Sequence, residues 1–281
     1  MNNRFVIFNN NVVEQNELNL SFLFCNETTV TSHKLWFGYG GIPLFSQNIN
    51  LLLTQIEILA LPCPPLLNNK NELFRIIKRM LNKNKFYRSG YLHIYIFNTN
   101  SEPSMLIVSS PSDIFDFPLA ERGIMVNFSD IVKLSSSSYC RYAFYNHKFW
   151  QIVAAQNKNT HYQNSIITNQ NNAVCEAIAA NIYTITNSTL YTPVPATGSY
   201  IDVLRSIIID IVGNMGFEIS ETGEMKKEDI LDAHELFIAG EATGMQWILG
   251  VENKRFVHKH SETICLKLNE HLKESAKTSN N

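Results

Sequence analysis

One stretch constrains this chain more than any other: residues 172–205, NAVCEAIAANIYTITNSTLYTPVPATGSYIDVLR. Val174-Cys175-Glu176 reads as a strand end that presents a carboxylate. Ile182–Ile185 reads as a second strand, its β-branched and aromatic residues alternating with Thr184. Asn187-Ser188 is a turn signal that lets Leu190–Thr192 pair back as a hairpin. Pro193 and Pro195 hold the next segment extended. Gly198-Ser199 then opens a helix expected over about Tyr200–Val212. The order is therefore strand, carboxylate, strand, Thr-Pro, Gly, helix, Arg.

Length and composition narrow the class. A chain of 281 residues can form one large or two modest domains, and 45% hydrophobic with 17% charged residues suits a sizeable core. A net charge of −2 leaves no footprint for nucleic acid or a membrane surface. The basic stretch Arg75–Arg88, with Lys78, Arg79, Lys83 and Lys85, reads as the solvated face of a helix and its exit loop. No run approaches the roughly 18 apolar residues that would cross a bilayer. Met1-Asn2-Asn3-Arg4 lacks a signal-peptide layout, which gives a cytoplasmic expectation. Cys25, Cys63, Cys140, Cys175 and Cys265 are odd in number and include no Cys-x-x-Cys, so free thiols are expected rather than disulfides or a zinc site. His258 and His260 share a strand-like face without a third ligand nearby. No nucleophile elbow or phosphate loop occurs. The Asn-rich segments Asn9–Asn11 and 169–172 are expected to be loop composition.

Along the chain, Arg4–Phe8, Leu18–Cys25, Thr28–Thr31 and Lys34–Tyr39 read as a strand meander. Leu51–Leu59 and Glu72–Leu81 follow as amphipathic helices, and Tyr91–Phe97 and Met105–Ser109 as strands. The crossover falls in Pro111–Arg122, where Pro, Asp and Gly cluster. Beyond it come a strand at Ile124–Phe128 and a helix at Asn146–Gln156, with Phe149, Ile152, Val153 and Gln156 on one face. Strands are expected at Asn164–Thr168, Phe217–Ser220, Glu235–Ala239 and Thr243–Leu249, a helix at Lys226–Leu231, and an amphipathic tail over Thr263–Lys273. The expected domains are 1–115, a linker at 116–123, and 124–281.

Glu176, Asn181, Thr192, Pro193, Gly198 and Arg205, followed by Asp232-Ala233-His234-Glu235-Leu236-Phe237-Ile238-Ala239-Gly240, carry a family resemblance. The pattern resembles the fold-type IV pyridoxal-phosphate (PLP) enzymes, the class IV aminotransferases and aminodeoxychorismate lyases, with the lyase-like branch nearest. It covers most of the chain and is best between about 144 and 250. In the N-terminal part, Phe24–Thr31 matches the family's pattern only by its final Thr. The resemblance implies an α/β (α+β) fold of the D-amino acid aminotransferase type, with a small α+β N-terminal domain and a larger C-terminal domain built on a barrel-like sheet. It also implies a homodimer and a PLP cofactor whose Schiff base is formed by a lysine. By the same resemblance Glu176 faces the pyridine nitrogen, and Asn181, Asn50, Asp202, Val203, Glu241 and Ala242 take the remaining cofactor positions.

Several slots carry the wrong chemistry. Phe144 stands in the lysine slot and cannot form an imine; Lys148, one helical turn on, is the fallback. Asn50 stands in the phosphate-binding Arg slot, Asp202 replaces a glycine at a helix start, and Glu241 replaces a hydroxyl residue. A carboxylate at that helix start competes with phosphate for its amides. The expectation is a lyase- or aminotransferase-like homologue with lost or altered PLP chemistry, non-catalytic or binding a small neutral or cationic molecule in a cleft lined by Phe144, Tyr145, Asp202 and Glu241. The alternative is an active PLP-dependent lyase or aminotransferase that uses Lys148.

Overall fold

The computed structural model describes residues 4–18, 30–99, 102–118 and 122–278. The expected strands at Leu18–Cys25 and Thr28–Thr31, and the motif at Phe24–Thr31, fall almost entirely outside these residues. The chain divides into two compact units, residues 1–116 with 272–281, and residues 117–271.

The first unit is one antiparallel sheet covered by helices. Asn9, with φ 52°, turns β1 (Phe5–Phe8) into β2 (Asn11–Glu14). β3 (Thr31–Phe37), β4 (Ser89–Thr99) and β5 (Glu102–Ser112) complete the sheet in the order β2-β1-β5-β4-β3. α1 (Phe45–Ile58) buries Phe45, Ile49, Leu52 and Ile56, the three-and-four spacing of a single helix face. α2 (Lys70–Asn84) starts where the Asn69 side chain accepts the amide of Glu72, and it buries Leu73, Ile77 and Met80. Both faces close on Leu35, Leu92, Ile94 and Ile107 of the sheet.

The second unit contains β6 (Ile124–Phe128), α3 (Ala143–Gln156), β7 (Asn164–Thr168), β8 (Val174–Ala177), β9 (Asn181–Thr186), β10 (Thr189–Pro193), α4 (Leu204–Asn214), β11 (Glu218–Thr222), α5 (Lys227–Asp232), β12 (Glu235–Gly240), β13 (Gly244–Val251), β14 (Lys254–Arg255) and α6 (His260–Thr278), the last running on past residue 271. The sheet runs β11-β10-β9-β12-β13-β6-β7-β8, with β14 on β13. It is mixed: β10–β11, β13–β6 and β6–β7 pair in parallel, and the other pairs are antiparallel. The Ala177–Ala180 bridge brings the end of β8 to the start of β9, so the sheet curls towards a barrel.

Two glycines of this unit stand where a side chain would not fit. Gly198 has φ +94°, and a Cβ there would stand 3.0 Å from Ser135. A Cβ on Gly240 would stand 2.5 Å from the carbonyl oxygen of Ala179, too close for any side chain.

Three expectations need correction. The helix expected from Tyr200 begins at Leu204, because the Asp202 carboxylate accepts the Leu204 amide at 2.8 Å and fixes a turn ahead of the helix. The buried face of α3 is Ala143, Asn146, Trp150 and Val153, and Ile152 is 58% exposed. The expected face mixed in residues that lie a third of a turn away from it. Asparagine is not only loop filler: Asn84, Asn146, Asn164, Asn169 and Asn181 are buried. Asn164 accepts the Ile178 amide and donates to the Ile178 carbonyl, which latches the β8–β9 turn. Among the described residues Cys63, Cys140, Cys175 and Cys265 form no disulfide, no three metal-ligating side chains cluster, and no helix is long and apolar enough to cross a membrane.

Candidate cofactor site

Glu176 sits on β8 with none of its surface exposed, its four-residue strand buried throughout. An isolated carboxylate there would cost several kcal/mol. Three groups meet it. The Lys133 ammonium lies 2.7 Å from Oε2, with Lys133 almost as deeply buried as its partner. Trp150 donates its Nε1–H to Oε1 at 2.8 Å, and the Tyr200 backbone supplies a further hydrogen bond. Burial pushes the Glu176 carboxyl up, while Lys133, Trp150 and Tyr200 pull the other way.

Each partner is placed by its own element. Lys133 follows β6 and is held in register by its amide, which donates to the Thr168 carbonyl, and by its bridge to Asn169. Trp150 comes from the buried face of α3. Tyr200 comes from the turn before α4 and meets Trp150 edge-on at 5.0 Å between ring centroids. Ala143, Val153 and Ile167 pack with the two rings into one apolar cluster. Cys140 and Cys175 flank the pair, and burial, reinforced by Glu176, raises both thiols.

A second constellation is built around Asp202. Its Oδ1 accepts the Leu204 amide at 2.8 Å and its Oδ2 the Glu241 amide at 3.0 Å, and the Tyr200 hydroxyl donates to it as well. One carboxylate thus gathers an amide from the start of α4 and another from the turn after β12. Burial pushes this carboxyl up to about 6 against the pull of its three donors. Arg205 donates to Thr192 Oγ1 at 2.8 Å and to Glu221 at 2.6 Å, and Thr192 in turn donates to the Ile182 carbonyl. Ser199 donates to Asn181 at 3.2 Å.

Of the residues expected at the site, Glu176, Asn181, Asp202, Val203, Glu241 and Ala242 fall in the second unit, with Glu176, Asn181, Asp202 and Glu241 buried. Asn50 is in the first unit, exposed, and accepts from Lys70 at 2.6 Å. Phe144 is half-buried on α3 and stacks on Tyr142 at 5.8 Å. Lys148 is exposed on α3. It lies two residues from Trp150, about 200° around the helix, so it points away from the side that reaches Glu176. The sequence reading missed Lys133, Trp150 and Tyr200. The one signal for Lys133 was a lone cation in the run Ile131-Val132-Lys133-Leu134, ahead of the serines.

Comparison with known proteins bears on the family and the fold. The amino-transferase class IV family model matches residues 40–250. The chain belongs to the class IV aminotransferase family. The branched-chain amino acid aminotransferase of Thermobaculum terrenum, solved in its PLP form, superposes with a TM-score of 0.84 at 14% identity, over 98% of this chain and 96% of that one. The branched-chain amino acid aminotransferase of Escherichia coli gives 0.81 at 16% identity, over 97% and 95%. A putative 4-amino-4-deoxychorismate lyase from Legionella pneumophila gives 0.74 at 16% identity, over 89% and 92%. At such identities the superpositions speak for the fold. No curated protein sequence matches the chain.

Proposed function

We propose that this chain is a non-catalytic member of the class IV aminotransferase family whose cofactor site is filled by its own side chains. The ion pair between Lys133 and Glu176, 2.7 Å apart and buried, carries this reading. PLP would present to Glu176 a protonated ring nitrogen; here the carboxylate already has its cation. A lysine that forms the cofactor imine must reach the aldehyde carbon, across the ring from that nitrogen. Lys133 is instead at the nitrogen end, and Phe144 holds the lysine slot.

The phosphate end argues the same way. Amides that the family resemblance assigns to a phosphate are engaged by the Asp202 carboxylate, with Glu241 buried beside them. A dianion brought to two carboxylates in a partly buried place meets repulsion of up to a few kcal/mol from each. The donor set therefore does not fit PLP, and no reaction step is assigned to the site. On this reading Lys133 takes the part of the pyridinium beside Glu176, and Asp202 that of the phosphate at the Leu204 and Glu241 amides. The aminotransferase and lyase activities of the family are absent from this reading, while its homodimer and cytoplasmic setting are carried with it.

The test is direct. The purified protein is mixed with PLP, its near-visible spectrum recorded, the mixture reduced with borohydride and its peptides mapped by mass. No aldimine band and no phosphopyridoxyl peptide are expected. A stoichiometric adduct on Lys133 or Lys148 would overturn the reading and name the lysine.

A further inference from the structure

β9 has two faces, and the site described above uses one of them. Asn181 and Tyr183 point to the Ser199, Asp202 and Arg205 side, so Ile182, Thr184 and Thr186 point to the other. On that other face lies a cavity of about 420 Å³, the size of a small-molecule site. Its lining is chemically one-sided. Thr184, Tyr191 and Ser220 stand in register across β9, β10 and β11, side by side. Among the described hydrogen bonds none uses the hydroxyls of these three. Thr184 is only 3% exposed and lines the cavity, and no hydrogen bond among the described residues uses its hydroxyl. Met225, from the loop after β11, adds an apolar part to the lining and is itself buried in the barrel core.

The charge is all of one sign. Glu224 comes from the loop after β11, and Asp229 and Asp232 from one side of α5. Among the described residues no Lys, Arg or His lines the cavity. Neither Glu224 nor Asp232 is in an ion pair among the described residues. Lys227, nearby in sequence, lays its ammonium over the Phe128 ring, 4.9 Å from the centroid. An anion is thus disfavoured. The carboxylates do not converge as metal ligands do, since no such cluster forms among the described residues. Spread negative charge, a row of free hydroxyls, an aromatic ring and an apolar patch suit a ligand whose positive charges are also spread along an apolar backbone.

We infer that this cavity binds a small organic polycation of the polyamine type, its amines meeting Glu224, Asp229 and Asp232 and its hydrocarbon segments resting on Tyr191 and Met225. This goes beyond the proposed loss of PLP chemistry and does not depend on it, because the residues involved lie on the opposite face of the strand.

The experiment is calorimetric titration of the full chain with spermidine in buffered 150 mM salt, with putrescine and sorbitol as comparison ligands. Saturable one-to-one binding of spermidine is expected, stronger than putrescine, with no heat from sorbitol. The double variant Glu224→Gln/Asp232→Asn should weaken spermidine by roughly tenfold or more. Asp229 is left in place because it accepts the Lys226 amide and caps α5. A matched loss of two exposed charges of the first unit, Glu57→Gln/Glu102→Gln, should leave the affinity unchanged. Thr184→Val should weaken binding severalfold without changing the unfolding midpoint, which separates a ligand contact from a structural one. Absent or non-saturable binding, equal losses in the two double variants, or sorbitol binding as well as spermidine would each overturn the inference.

Discussion

At the scale of the residue, the decisive group is a cation that the sequence pattern did not single out. Lys133 and Glu176 are each the other's reason for being tolerated in the interior, since either alone would be a buried charge without a counter-charge. Losing one partner should therefore cost more than losing both. Lys133→Met should destabilise the protein by about 3–5 kcal/mol, because it strands the carboxylate. Glu176→Gln strands the ammonium and should cost a comparable amount. The double variant should recover a good part of either loss, since a neutral amide beside a methionine leaves no buried charge. Urea unfolding of the four proteins gives the coupling directly. Additive costs would mean that the ion pair contributes nothing specific, and the carrying observation for a self-filled site would go with it.

At the scale of the element, the turn before α4 shows how one side chain can fix a helix start. The sequence placed a helix start near residue 200, and Gly198 and Pro195 did mark the entry. What it could not show was that Asp202 would reach across 39 residues to the Glu241 amide. Long-range side-chain-to-backbone bonds leave no periodic trace in a sequence. Glu235 is similar: its carboxylate accepts the amides of Lys259, His260 and Ser261 and so caps the start of α6 from another strand. The Asp202 turn has a pH signature. Its carboxyl is pushed up to about 6 from an ordinary carboxylate near 4. Between those two values the folded chain still holds a proton that the unfolded chain has released, so stability falls as pH rises through the window and levels off above it. Asp202→Asn cannot titrate and lacks this loss. The stability of the wild type relative to Asp202→Asn should therefore drop by about 3 kcal/mol between pH 4 and pH 7. Denaturant titrations at unit pH steps measure it, and a difference that stays flat across the window would show that Asp202 titrates as an ordinary surface acid.

At the scale of the whole molecule, the fold was legible because many weak signals agreed in order: strand, carboxylate, hairpin, Thr-Pro, Gly, helix, then Glu235–Gly240. Hydrophobic period and turn chemistry set those, and both are local. The pairing of Lys133 with Glu176 was not legible, because it depends on which side chains meet in space. Lys133 is 43 positions from Glu176, and nothing in its surroundings spells a partner. On the reading proposed above, the same logic predicts how PLP chemistry would have to be rebuilt. Phe144→Lys alone supplies an amine but leaves Glu176 paired with Lys133 and the amides of Leu204 and Glu241 paired with Asp202. It should give no PLP adduct. Adding Asp202→Gly frees the amides and the glycine slot; adding Lys133→Ala frees the carboxylate for a pyridinium, which also relieves the charge that the loss of Lys133 would otherwise strand. The triple variant should form an aldimine that borohydride fixes at position 144, and PLP should raise its unfolding midpoint while leaving the wild type unmoved. An adduct already present in Phe144→Lys alone would show that the internal cation and carboxylate are no barrier to the cofactor. A triple variant that stays colourless would place the loss elsewhere, with Asn50 and Glu241 the next slots to revert.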